Sequence, residues 1–316
     1  MSRILCIIDG MTDPLFSEKE YFNLSSMMLS GYVDTTKGNS PESLNCILHL
    51  LGTEKIPQNL RGYAEALAEE IPVGHDDLIL RGSWFSIDEA GRCGTPVAGP
   101  DHLPVPNSDA YRYYRIDQYK AVLIFPELAF AVDTVTTYPP YDCAGNFALS
   151  YRPKGCRELE RCFDRWMSEN KCLIPWGQSA PSEVSPFPKK AAVVCKASVV
   201  KGISRLLKMD FIPADGATGD VDTNLASKAS TALKAAGQYP FVLLHIKGAD
   251  EAAHRKDAEE KRAFLRKIDK LVIPSLLKSG HEIIVVGDHG TDPKTGAHLA
   301  GLQPYFTNFS FSYTSK

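Results

Sequence analysis

The sequence predicts an α/β protein. Its core is a mostly parallel sheet with helices on both faces, built from the two ends of the chain, with a second α+β unit inserted between them. Three observations carry this. Apolar, β-branched runs alternate with amphipathic helical patterns toward both ends, which is the signature of a parallel sheet buried on both sides. The middle, from about residue 80 to 189, is instead rich in Pro, Tyr and Gly. Finally, the runs "ILCIIDG", "VLLHIKGAD" and "IIVVGDHG" all lead into an acidic residue, and ligands gather at the carboxyl ends of strands in such sheets.

Taken in order, "RILCIID" reads as a buried strand. "SPESLNCILHLLG" is a helix with Leu44, Ile47, Leu48 and Leu51 on one face and Gly52 closing it. "NLRGYAEALAEEI" is a second amphipathic helix, through Leu60, Ala64, Leu67 and Ile71. In the middle, "AVLIFPE" and "AFAVDTVTTY" resemble strands and "CRELERCFDRWMSEN" a helix, before "GQSAPSEVSPFPKK" links back to the core. "KAAVVC" is a strand, "ASVVKGISRLLKM" a helix and "DFIPADG" a short strand and turn. "DTNLASKASTALKAAG" is a helix expected to start on an Asp or Thr cap. "PFVLLHIKGAD" is a strand. "DAEEKRAFLRKIDKLVIPSLLKSG" is one long helix with Phe264, Ile268, Leu271 and Val272 inward, and "HEIIVVGD" is the closing strand. The expected boundaries are a core of residues 1–79 and 190–316 and a cap of residues 80–189.

Composition excludes several classes. The chain has 316 residues, 44% of them hydrophobic and 23% charged, an ordinary globular balance. A net charge of −3 without a Lys/Arg cluster offers no track for nucleic acid. No apolar run approaches the ~20 residues of a membrane span, and the apolar stretch near Met1 is too short for a signal peptide. A cytoplasmic protein is the expectation, with its eight cysteines reduced and acting as small hydrophobes, since none forms CxxC.

The strand ends supply a metal-binding vocabulary. Asp250 and His254 are spaced i, i+4, His289 follows Asp288 directly, and "KTGAH" brings His298 to the same edge. With Asp9 these make six candidates, too many for one four-coordinate ion and enough for two. Mixed carboxylate and imidazole suits Mn²⁺ or Zn²⁺ better than Ca²⁺ or Mg²⁺. Two ions ~3.5–4 Å apart can clamp the attacking and leaving oxygens of a phosphoryl transfer. Ser40 and Ser43 stand at the start of a helix. There a serine can be an N-cap or a nucleophile facing an anion, and spacing alone leaves both readings open.

The ordered set Asp9-Gly10, Ser43, Asp250-x-x-x-His254, Asp288-His289 and His298 resembles the alkaline phosphatase superfamily. "VVKGISRLLKMDFIPADGATGDVDTN", "HIKGADEAAHRKDAEEKRAFLRKIDKL" and "VVGDHGTDPKTGAH" are similar to the archaeal-type cofactor-independent phosphoglycerate mutases, and the likeness covers about half the chain. The resemblance implies a three-layer core of the alkaline phosphatase type with an inserted cap. It implies one divalent ion on Asp9, Ser43, Asp288 and His289, and a second on Asp250, His254 and His298. It also selects Ser43, which stands at the family's distance before Leu50, Leu51 and Gly52, as the residue that takes a phosphoryl group from a small phosphorylated metabolite. The implied reaction is interconversion of 2- and 3-phosphoglycerate.

Departures fall in recognition of substrate. Leu44 follows Ser43 where the family has Asp. Arg81-Gly82-Ser83 lacks the family's Asn, and only Arg92 stands near its Arg-rich segment. Arg81, Arg92 and Lys261 are the candidate anion contacts. An alternative is therefore a metal-dependent phosphatase or phosphotransferase on another small phosphate monoester. A reading of another class is a non-catalytic relative that binds a metabolite. A sulfatase is disfavoured, because C-x-P-S-R is absent.

Overall fold

The computed structural model describes residues 1–101 and 111–313. The chain divides into two compact units, Met1–Ile56 with Ser185–Lys316, and Pro57–Val184.

The first unit is built on a seven-stranded sheet. Its order is Met28–Asp34, Leu302–Thr307, Glu282–Val286, Arg3–Ile8, Phe241–Ile246, Ala191–Val194 and Asp210–Phe211. The last five of these strands run parallel, and the first two are antiparallel additions at one edge. The reason lies in the residues. Ile4, Cys6 and Ile8 pack with Val242, Leu244, Ile246, Ile283 and Val285 under helices Leu225–Ala236 and Ala258–Leu271. The alternate residues Leu5, Ile7, Leu243, Ile284 and Val286 are buried as well, so the sheet is covered on both faces.

The second unit holds an antiparallel sheet. Leu78–Ile87 pairs with Lys120–Phe125, Lys171–Ser179 and Cys93–Pro96, and Arg112–Arg115 lies beyond on Lys120–Phe125. The period-2 rule again divides the faces. Leu78, Leu80, Leu123 and Phe125 pack with Leu159, Cys162, Phe163 and Trp166 of helix Arg157–Trp166. Ile79, Val122 and Ile124 pack with Ala66 of helix Arg61–Ala68.

Several expectations are corrected. Helix Arg61–Ala68 lies in the second unit, not the core, so the first boundary falls at residue 56 rather than 79. "AFAVDTVTTY" forms a 3₁₀ turn, Ala129–Ala131, in which Leu128 O and Ala129 O accept from the N–H groups of Ala131 and Val132, and Ala131 O then accepts from those of Thr134 and Val135. The helix Leu225–Ala236 is capped by Asn224, whose side chain accepts from Ser227 N at 3.0 Å. The expected long helix is two, Ala258–Leu271 and Ile273–Leu277, because Pro274 has no N–H to continue the ladder. Leu271 is exposed at 46%, while Val272 takes the inward place. No two of the described cysteines form a disulfide. Among the described residues no helix is long and apolar enough to cross a membrane.

Candidate metal centre

Strands Glu282–Val286, Arg3–Ile8 and Phe241–Ile246 are adjacent and parallel, so their carboxyl ends lie side by side. Asp9 directly follows the middle strand, with its N–H on Ile246 O at 2.9 Å. Asp288 and His289 follow the strand on one side. On the other, helix Gly248–His254 begins one residue after the strand and carries Asp250 and His254 one turn apart. His298 arrives on a short strand, His298–Leu299, which pairs with Gly290–Thr291. Ser43 is the first residue of helix Ser43–Leu50, whose N-cap is Glu42, so Ser43 is not acting as a cap. Ser40 is exposed before the helix.

Two groups result. Around His289 Nε2 stand Ser43 Oγ at 3.2 Å, Asp9 Oδ1 at 3.5 Å and Asp288 Oδ2 at 3.5 Å. In the second group His254 Nε2 is 3.2 Å from Asp250 Oδ2 and 3.1 Å from His298 Nε2, which is 3.6 Å from Asp250 Oδ1. Ligand atoms about 2.1 Å from one tetrahedral ion stand about 3.4 Å from each other, and these spacings match. The groups adjoin, since the rings of His289 and His298 stack with centroids 4.0 Å apart.

The donor set fits a divalent cation in each group. His254 Nδ1 and His298 Nδ1 donate to Gly296 O and Pro41 O, both at 2.8 Å, and His289 Nδ1 donates to Gly290 O at 3.1 Å. Carbonyls only accept, so each Nδ1 carries a proton and each ring turns its Nε2 inward, where a neutral ring offers a bare nitrogen to a cation. Both oxygens of Asp9 and Oδ2 of Asp288 are buried without a hydrogen-bond partner among the described residues. Buried carboxylate oxygens left this way are costly unless a cation meets them.

The electrostatics agree. Burial, then the neighbouring Asp288 and Asp250, push the Asp9 carboxyl well above its usual range. Burial and then Asp250 raise Asp288 to about 6. Burial alone would raise Asp250, but Lys247 at 3.4 Å and hydrogen bonds from His254 and His298 hold it well below. Burial would lower His254, yet its bond to Asp250 outweighs this and raises it.

The candidate anion contacts behave differently. Lys261 is fully buried in the first unit. Its Nζ donates to Thr12 O at 2.9 Å and Thr291 O at 2.7 Å and pairs with Asp13 at 3.3 Å. It therefore ties together the loops that follow Asp9 and His289 and has no donor facing a substrate. Replacing Lys261 with Met is expected to cost about 2 kcal/mol, because the carbonyls of Thr12 and Thr291 lose their charged donor and Asp13 its cation. A denaturation midpoint unchanged from the parent would contradict that. In the second unit Arg81 is buried and paired with Glu65, which Arg61 also holds at 3.0 Å. Burial would raise the Glu65 carboxyl, but Arg81 and Arg61 hold it down at about 2. Arg92 donates to Gly145 O at 3.0 Å and lies over the Phe147 ring.

The model of the metalloenzyme superfamily matches residues 50–306. The chain belongs to the metalloenzyme superfamily. Within it, the chain is 36% identical over 139 residues to 2,3-bisphosphoglycerate-independent phosphoglycerate mutase of Methanococcus aeolicus, a match covering 42% of this chain and 34% of that enzyme. It is 26% identical over 280 residues to phosphoglycerate mutase 2 of the same kind from Methanothermobacter thermautotrophicus, covering 77% and 69%. The first of these matches thus spans about a third of the curated relative's length. The fold is shared with the PH0037 protein of Pyrococcus horikoshii, at TM-score 0.70 and 20% identity, over 97% of this chain and 87% of that one.

Sequence reasoning missed Lys247 and Thr291 as parts of this superfamily member's candidate site, and it named Gly10 without a reason for it. Lys247 and Thr291 carried a signal, standing within three residues of the Asp250 and Asp288-His289 motifs. Gly10 has φ +64, and a Cβ there would lie 2.7 Å from Thr291 Oγ1 and 2.9 Å from Asp250 Cα. Gly10→Ala is expected to destabilise the chain by roughly 2 kcal/mol or more through strain and clash together. A melting temperature equal to the parent's would refute this.

Proposed function

We propose that this chain is a two-metal phosphotransferase working through a phosphoserine at Ser43, acting as a phosphoglycerate mutase on 2- and 3-phosphoglycerate. The observation that carries the reading is Ser43 itself. Its hydroxyl is buried at the first turn of a helix, 3.2 Å from His289 Nε2 and grouped with Asp9 and Asp288. Divalent ions such as Mn²⁺ or Zn²⁺, held by Asp9, Ser43, Asp288 and His289 and by Asp250, His254 and His298, would supply charge stabilisation and a lowered serine pKa. The chain's own part is positional. The Nδ1–H donations of all three histidines fix their rings, and the helix N-terminus favours the arriving anion. Ser43 Oγ attacks the phosphorus of the monoester. The substrate oxygen leaves, and the phosphoryl group then returns to the other hydroxyl of the same sugar acid. The test is metal-stripped protein with Mn²⁺ restored and 3-phosphoglycerate as substrate. Formation of 2-phosphoglycerate supports the reading, and its absence at every Mn²⁺ concentration rejects the mutase.

A specific observation favours a second reading, hydrolysis or transfer from another small phosphate monoester. Arg81, Arg92 and Lys261, the expected anion contacts, all hold partners within their own units. Metal-dependent phosphate release from an aryl phosphate without mutase activity would select it. The non-catalytic alternative would be favoured by lost ligands, and all seven ligand positions are filled by the expected residues.

A further inference from the structure

We infer that Thr291 is a positioning residue that joins the two candidate centres, its hydroxyl holding Asp250 of one and meeting His289 of the other. The inference rests on the two-metal reading above. Thr291 is fully buried. Its Oγ1 donates to Asp250 Oδ1 at 2.7 Å and lies 3.3 Å from His289 Nδ1. A hydroxyl has one proton, and an ionised carboxylate can only accept, so that proton goes to Asp250. The lone pairs of Oγ1 are left for the His289 Nδ1–H, which is shared with Gly290 O at 3.1 Å. His289 Nε2 therefore stays turned toward Asp9, Asp288 and Ser43. The relay from His289 to Thr291 to Asp250 fixes an imidazole plane in one group and a carboxylate plane in the other.

The surrounding backbone holds this arrangement from both sides. Thr291 N–H donates to Thr12 O at 2.9 Å, and Thr291 O accepts from Lys261 Nζ at 2.7 Å. Gly10 leaves the hydroxyl its space, since a side chain there would stand 2.7 Å from Thr291 Oγ1. Thr291 also pairs with His298 across the two short strands, so it sits at the seam of both groups.

The two groups do not depend on it equally. His289 keeps Gly290 O if the hydroxyl is lost. Asp250 Oδ1 loses its 2.7 Å bond, and its other neighbour, His298 Nε2, is 3.6 Å away. The Asp250–His254–His298 group should therefore suffer more. Losing an outer partner of a metal ligand typically lowers metal affinity about 10–100-fold.

The test is calorimetric titration of the metal-stripped full chain with Mn²⁺. Thr291→Val is close to isosteric and lacks the hydroxyl, while Thr291→Ser keeps it. The parent is expected to bind two ions. The Val variant should weaken one of them about 10–100-fold, and the Ser variant should restore most of that affinity. In a His254→Ala background the Val substitution should have little further effect, and in an Asp288→Asn background it should retain its full effect. A parent that binds at most one ion overturns the two-metal reading itself. Two ions with both affinities unchanged in Thr291→Val overturn the assignment of Thr291 alone. Equal losses in the Val and Ser variants assign the effect to packing and also overturn it.

Discussion

Replacing Ser43 with alanine is expected to abolish formation of a phosphorylated protein and to lower phosphoryl transfer by on the order of 10⁴-fold or more, as removal of a nucleophile does. The fold should survive. The N-cap is Glu42, and Ser43 makes no capping bond, so helix Ser43–Leu50 loses no terminal partner. Its core residues, Leu44, Ile47 and Leu48, are untouched. One listening group changes: His289 Nε2 loses the hydroxyl 3.2 Å away but keeps Asp9 and Asp288. Metal affinity should therefore fall modestly while chemistry stops. Incubation with labelled substrate, followed by denaturing electrophoresis, reads the phosphoprotein directly. A Ser43→Ala protein that still takes up label and turns over would remove Ser43 from the reaction.

The second large effect concerns the metal-free state. Three carboxylates, of Asp9, Asp250 and Asp288, are buried at one edge with Lys247 as the nearby cation. Stripping divalent ions should destabilise the first unit by about 2.7 kcal/mol per site when free ion had stood at 100 times Kd. The residual penalty has a pH signature. The Asp288 carboxyl is raised to about 6, by burial first and then by Asp250. A raised folded-state pKa means that the folded form prefers the protonated acid. This contribution to stability is thus fully present below about pH 4, and it is lost as pH rises through about 6.

Asp288→Asn should therefore make the metal-free protein more stable at pH 7, by roughly 2–3 kcal/mol or 5–10 °C in Tm. The substitution keeps the Oδ1 acceptor used by the Gly10 and His289 N–H groups at 3.2 and 3.0 Å. It also presents an N–H₂ where the unpartnered Oδ2 stood. The gain should shrink as pH falls through about 6, and added Mn²⁺ should protect the variant less than the parent. Thermal melts of both proteins with and without chelator, from pH 5 to 8, decide it. A metal-free variant that melts below the parent at pH 7 would be falsifying, because the buried charge would then not be the source of the penalty.

Much of the candidate site was legible because the residues that compose it are local in sequence. Asp250 and His254 are one helical turn apart, Asp288 and His289 are neighbours, and each motif follows a strand whose β-branched run announces it. What failed was any inference about partners. Lys261 is an unremarkable lysine in a helix of charges until the fold seats it on two backbone carbonyls. Arg81 looks available until Glu65, sixteen residues earlier, is placed beneath it. Thr291 reads as a loop residue until its hydroxyl is found on Asp250.

By itself the sequence determined the parallel α/β class, the alternation of its elements and the residue types at the strand ends, because periodicity and strand termination are encoded within a few residues. Tertiary structure alone decided that strands Glu282–Val286, Arg3–Ile8 and Phe241–Ile246 stand next to one another. It also assigned helix Arg61–Ala68 to the second unit and decided which charges are spent on internal partners. The physical reason is common to all three. Strand order, packing partner and ion pairing are contacts between residues far apart in the chain, and a side chain's charge becomes a ligand, a clamp or a counter-ion only through what burial places beside it.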